Sequence, residues 1–249
     1  MDKKKFREIL FLVIIITSVV LLFVQEFGPK ENIVSPVIEE PVVVNMVDLC
    51  FANIGTPNEN GFYDKYTLRM SLNNTEKTVS GELKFLPAEK DSKVGKFEGA
   101  VSDVDDTLMA RRIDAWWDTM AEGMNTREEL KIIFGEGVAS ILLSEMEDRG
   151  DGVYVYKDPK SAQYNLELKD VSCDEIDERE KVEEYLRENI VSLSPVKAVL
   201  GGSWYVLSVL LNPNEDSGVV TYEDGHIQEK RDFTYLIGGD GEVSNLVIK

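Results

Sequence analysis

Between residues 45 and 174 the chain is written in short alternating runs, and side chains that change face at every residue can be buried on one side only by a sheet. Tyr66, Leu68, Met70 and Leu72 alternate with Thr67, Arg69 and Ser71, an Asn73-Asn74 turn follows, and Val79, Leu83 and Phe85 belong to the next run. The pair predicts a hairpin. Later runs at 129–134, 138–143, 152–157 and 164–171 are separated by Gly135, Gly137, a turn over 149–152 and Pro159. Many short strands with glycine punctuation predict a mainly β domain, an antiparallel barrel or sandwich. Among them Met109, Ile113, Trp116, Trp117, Met120 and Met124 recur at helical spacing, which predicts a helical insertion packed on the sheet.

The only cysteines are Cys50, in the first strand-like segment, and Cys173, at the end of the last one. Exported cysteine pairs tend to be bridged. Such a bridge would tie the first strand to the last, close a long loop worth ~4–5 kcal/mol in the chain-entropy model, and mark 45–174 as one unit. The alternative is two buried free thiols. Beyond Cys173 the pattern changes. Asp177 with Glu180 forms a capping-box signal, and Val182, Tyr185, Leu186 and Ile190 share a helical face. Strand-like runs follow at 203–211, 218–223, 226–237 and 242–248, with Asp224-Gly225 as a two-residue hairpin signal. Residues 175–249 therefore predict a small α+β domain, a helix plus an antiparallel meander.

The N-terminus supplies an address. Lys3, Lys4, Lys5 and Arg7 precede an apolar run over 9–24 that is interrupted only by Thr17 and Ser18, about 24 Å long as a helix at ~1.5 Å per residue. No small residues stand at A-x-A spacing after it, and no cysteine stands there to carry a lipid. The basic flank keeps the N-terminus cytoplasmic. Residues 1–24 thus read as an uncleaved signal anchor, with a cleaved signal or a buried helix as alternatives. Pro29, Pro36 and Pro41 make 25–44 an extended stalk. The formal net charge of −19 repels phosphate backbones and anionic headgroups, which excludes nucleic acid and a peripheral membrane face and favours cationic partners.

Several short motifs bear on chemistry. Asp103-Val104-Asp105-Asp106-Thr107 resembles the D-x-D-x-T signature of haloacid-dehalogenase-type phosphatases. That resemblance implies a parallel Rossmann-like scaffold, Asp103 as nucleophile, Asp105 as acid/base and Mg²⁺ to shield charge. His226 is the only histidine, which disfavours a Ser-His-Asp triad or a multi-histidine zinc site. Ser194 and Lys197 match S-x-x-K without its companion motifs. Arg149-Gly150-Asp151 reads as a turn, and the oxygen-rich stretch 212–218 lacks a distal bidentate acid for Ca²⁺.

A broader likeness rests on Leu86-Pro87-Ala88-Glu89-Lys90-Asp91-Ser92-Lys93, on Trp116-Trp117 through Ala121-Glu122-Gly123-Met124, on Asp148-Arg149-Gly150-Asp151-Gly152-Val153-Tyr154-Val155-Tyr156, on Tyr185-Leu186-Arg187-Glu188-Asn189-Ile190, and on Leu200-Gly201-Gly202-Ser203-Trp204-Tyr205-Val206. In these the chain resembles membrane-anchored exported proteins of small-genome, candidate-phylum bacteria, a group without an assigned activity. The resemblance carries over no functional residue.

The expectation is a membrane-anchored extracytoplasmic binding or interaction module without a cofactor. Its partners would be the membrane, through the N-terminal helix, and a protein or small-molecule ligand held by the β-rich domain. A Mg²⁺-dependent phosphatase through Asp103 and Asp105, or a structural envelope spacer, is the alternative.

Overall fold

Alternation becomes a closed surface. The computed structural model describes residues 45–88, 90–121 and 123–249; the expected anchor at 9–24 and stalk at 25–44 lie outside these described residues. Among them, no helix is long and apolar enough to cross a membrane. In chain order the first strands are β1 (Met46–Ile54), β2 (Lys65–Asn73), β3 (Thr78–Leu86), β4 (Lys93–Val101), β5 (Arg111–Ala121), β6 (Met124–Gly135), β7 (Val138–Leu143), β8 (Met146–Asp148), β9 (Val153–Tyr156) and β10 (Gln163–Val171). Strands β1 to β6 form an antiparallel meander, β7 follows β6, β10 joins β7 to β1, and the β5 to β6 pairing completes the ring. The result is a closed eight-stranded antiparallel barrel.

Each wall strand sends every second side chain inward. Leu68, Met70 and Leu72 of β2 meet Leu83 of β3, Ile113 and Trp117 of β5, and Leu130, Ile132 and Phe134 of β6 in one buried core. At Gly81 the interior has no room for a side chain: a Cβ there would lie 2.6 Å from the Phe97 ring and would also strike the Arg69 carbonyl. Glycine in mid-strand is thus a packing requirement, since it lets β3 curl around the Phe97 ring.

The helical insertion expected over Met109 to Met124 is a strand instead. In β5, Ile113, Ala115, Trp117 and Thr119 are buried, while Asp114, Asp118 and Met120 face solvent. The helical stripe was a coincidence of large residues; the small inward Ala115 and Thr119 carry the true period of two. Trp116, on the outer face, instead lies under the Arg127 guanidinium, 5.8 Å from its carbon.

The one α-helix among the described residues, α1 (Cys173–Leu193), begins earlier than its capping-box signal. Ser172 is its N-cap, its Oγ accepting the Asp174 N–H at 3.2 Å. Cys173 is consequently the first helical residue rather than the end of a strand, and it is bridged to Cys50 of β1. Asp177 and Glu180 do not cap anything. They belong to an acidic face that meets the outer face of the barrel, where Asp177 accepts from Arg69, Glu180 from Lys84 at 2.6 Å, and Glu183 from Lys65. The ladder works because both elements present side chains in register: i, i+3, i+6 on the helix, alternate residues on the strands. Ile176 is buried beside it.

The opposite face of α1 covers a second sheet, β11 (Tyr205–Asn212), β12 (Ser217–Glu223), β13 (Gln228–Ile237) and β14 (Val243–Ile248), joined in that order as an antiparallel meander. Val182, Leu186 and Ile190 pack on Trp204, Tyr222, Phe233 and Tyr235 in a core separate from that of the barrel. The Asp224-Gly225 turn is longer than the expected two residues, because Asp224 is buried and its carboxylate accepts the N–H groups of Val199, His226 and Ile227. From the barrel side, Tyr63 donates its hydroxyl to the Val209 carbonyl of β11.

Two outcomes follow. Removing the bridge by Cys50→Ala with Cys173→Ala, which opens a link across a sequence separation of 123, should lower stability by about 4–5 kcal/mol, read as a fall in the urea midpoint that reductant reproduces in the wild type. Glu183 sets an acid limit: burial raises its carboxyl, but the charge and hydrogen bond of Lys65, with Arg187, outweigh burial and hold it below its ordinary value of 4.5. The pairing therefore stabilises fully above that ordinary value and is lost as pH falls through the lower folded one. Glu183→Gln should cost about 1–2 kcal/mol at neutral pH, with the gap to wild type closing below roughly pH 4; a gap that stays constant with pH would contradict this.

Candidate binding cavity

Strand β6 is twelve residues long and β7 only six. β7 pairs with β6 only over Ile132–Gly135 and then stays with β10, so the first half of β6 loses that neighbour. β9 takes the place, pairing in parallel at Arg127 and Glu128, with β8 antiparallel at its outer edge. The barrel wall is thus completed on one side by a two-stranded flap. Its anchor is Tyr156, which donates its hydroxyl to the Leu142 carbonyl at 2.8 Å and its N–H to the Glu129 carboxylate at 3.2 Å. Burial pushes the Tyr156 phenol well up, so it stays a proton donor at ordinary pH.

Behind the flap, at the barrel end bearing the β3 to β4 and β5 to β6 connections, the core does not fill the interior. A cavity of about 420 Å³ remains, within the ~300–1,000 Å³ range of small-molecule sites. Its lining includes Leu83, Phe85, Trp117, Leu130, Ile141 and Leu166, together with Met124, Met146, Tyr154 and Tyr156. Alternation dictates the polar groups as well. Thr126 and Glu128 precede Leu130, Ile132 and Phe134 on the inward face of β6, and Lys93 opposes the inward Phe85 on β4. Glu128 is 7 % exposed, and its Oε1 accepts from Lys93 Nζ at 2.7 Å and from Thr126 Oγ1 at 3.2 Å. The pair is charge-neutral as a unit, which is what allows a carboxylate so deep in an apolar wall.

Trp117 is paired across the strands with Phe97 on one side and Glu128 on the other. Its indole Nε1 is buried without a hydrogen-bond partner, alone in this among side-chain nitrogens and oxygens of the described residues. Such a donor costs about 1–3 kcal/mol.

The motifs noted in the sequence lie elsewhere. Asp103 is exposed at the opposite end of the barrel, bound to Lys77 at 2.6 Å, whose hydrogen bond and charge lower its pKa. Asp105 shapes its own turn, its Oδ1 accepting from the N–H groups of Thr107 at 3.0 Å and Leu108 at 3.3 Å. The parallel scaffold implied by the phosphatase resemblance is replaced by an antiparallel barrel. Asp103 is thus engaged by Lys77 and Asp105 by its own turn, and among the described residues no group of three or more His, Cys, Asp or Glu is placed to hold a metal ion. His226 is exposed in the β12 to β13 turn. Ser194 is the C-cap of α1 and shares a hydrogen bond of 3.0 Å with the Tyr222 hydroxyl, and Lys197 is exposed. Arg149 and Asp151 pair at 2.8 Å in the flap turn, and 212–218 contains a short 3-10 helix, Pro213–Glu215.

Sequence reasoning missed Lys93, Trp117 and Glu128. The signal was present in β6: polar residues at 126 and 128 continue the inward period of 130, 132 and 134, and polar groups on a core face mark either an error of register or a site. No protein-family model, curated protein or solved structure matches the chain.

Tyr156→Phe should cost about 1 kcal/mol and raise amide hydrogen exchange within 144–162 while leaving β2 and β3 protected. Uniform exchange across the barrel would contradict the flap.

Proposed function

We propose that this protein is an extracytoplasmic, membrane-tethered binding module whose barrel takes up a small, mostly apolar molecule. The cavity carries this reading: it is lined by aliphatic and aromatic side chains, it opens at one end of a closed barrel, and a few polar groups converge on it. Small barrels of eight strands have just enough interior for side chains or for one small ligand. Here the interior beyond Trp117 is packed, and the end near the flap is not. The mouth lies at the opposite end of the barrel from Met46. The bridge between Cys50 and Cys173 favours an oxidising compartment, in keeping with the export signals of 1–24.

The test is binding of Nile red, a neutral apolar dye, to the protein. One saturable site per chain is expected. Ala121→Trp, placed at the cavity rim, should weaken it by at least about tenfold with the thermal midpoint unchanged. A dye that does not bind, or binds the variant equally well, rejects the cavity as a site and leaves the spacer role.

A further inference from the structure

We infer that the ligand is an uncharged molecule with an apolar body and a hydrogen-bond acceptor, a ketone, ester or amide carbonyl, that meets the Trp117 indole N–H. This rests on the cavity being a binding site, and it names what the site selects.

The first argument is the orphan donor. Trp117 lines the cavity, is 6 % exposed, and keeps a buried N–H without a partner. Natural interiors rarely leave such a group unpaired, because the loss of its hydrogen bonds to water is not recovered. Phe would pack a comparable ring without the cost. An acceptor carried in on an apolar body would supply the missing partner, in surroundings where water does not compete.

The second argument is charge. An ammonium head cannot accept from the Trp117 N–H, and at the cavity carboxylates it would have to displace Lys93 from Glu128 at 2.7 Å or Lys131 from Glu129 at 3.0 Å. A carboxylate would meet the donor, but it would also lie beside Glu128, the direct cross-strand partner of Trp117, and near Glu129, which also lines the cavity. The cation of the lining, Lys93, is held by Glu128 at 2.7 Å. An anion would have to displace Glu128 from it and leave that buried carboxylate unpaired. A neutral acceptor satisfies the N–H and leaves the ion pair intact.

The experiment is competition against bound Nile red by four compounds with one body: decan-2-one, decane, decanoate and decylamine, on the wild type, Trp117→Phe and Glu128→Gln. In the wild type decan-2-one should displace at least about tenfold better than decanoate or decylamine. Trp117→Phe should lower the preference for decan-2-one over decane by about five- to tenfold, with an unchanged thermal midpoint reporting an intact fold. Glu128→Gln frees Lys93 and should improve decanoate selectively. Equal losses for decan-2-one and decane in Trp117→Phe, or tightest binding by decanoate or decylamine, would overturn the ligand class while Nile red binding keeps the site. Nile red bound but displaced by none of the four would do the same. Failure of Nile red to bind the wild type would remove the site itself.

Discussion

The mismatch between a twelve-residue β6 and a six-residue β7 governs the barrel. A sheet edge cannot be left bare in a wall that encloses an apolar interior, because each unpaired backbone group there loses its hydrogen bonds to water without replacement. The chain resolves this with the β8 and β9 excursion, which supplies a parallel partner for the first half of β6. A parallel partner arriving from outside does not project a full row of side chains into the barrel as β7 does farther down. The interior is therefore underfilled at that end. Cavity, flap and rim are three consequences of one length difference.

The same economy of placement explains the rest of the molecule. The helix α1 has little apolar surface to spare, since Val182, Leu186 and Ile190 are committed to the second sheet. Its attachment to the barrel accordingly relies on the acidic ladder at Asp177, Glu180 and Glu183, together with Ile176 and the covalent link at its first residue. Part-exposed ion pairs individually contribute little. Three in register, joined to a bridge, fix orientation more than they add stability. A strongly acidic chain thus uses several of its basic residues internally, on β2 and β3.

How much of this was legible in the sequence depended on which residues defined the period. In β2 the alternation of Tyr66, Leu68, Met70 and Leu72 is unbroken, and the strand was read correctly. In β5 the inward row contains Ala115 and Thr119, which do not register as apolar landmarks, so the larger Trp116, Met120 and Met124 imposed a false helix. That error concealed the site, because Trp117 was counted in a helical stripe rather than on a barrel wall opposite Glu128. The cysteine pair was legible from compartment logic, and the structure bridges it. Asp177 and Glu180 were visible as a pattern but misassigned: acids three apart suit a helix start and an ion-pair ladder equally well, and only the position of Ser172 decides between them. The flap could not be read at all, since β8 and β9 are too short to carry a period.

What stands or falls with this account is whether an acceptor reaches the indole of Trp117 inside the barrel. The three tryptophans give three separate indole N–H resonances, so a proton–nitrogen correlation spectrum recorded during a titration with decan-2-one observes the proposed hydrogen bond directly. The Trp117 indole signal should move downfield and saturate at one ligand per chain, while the Trp204 signal, held by the Val196 carbonyl at 2.8 Å, stays in place. A Trp117 signal that does not move, or that moves together with Trp204 without saturation, would contradict it.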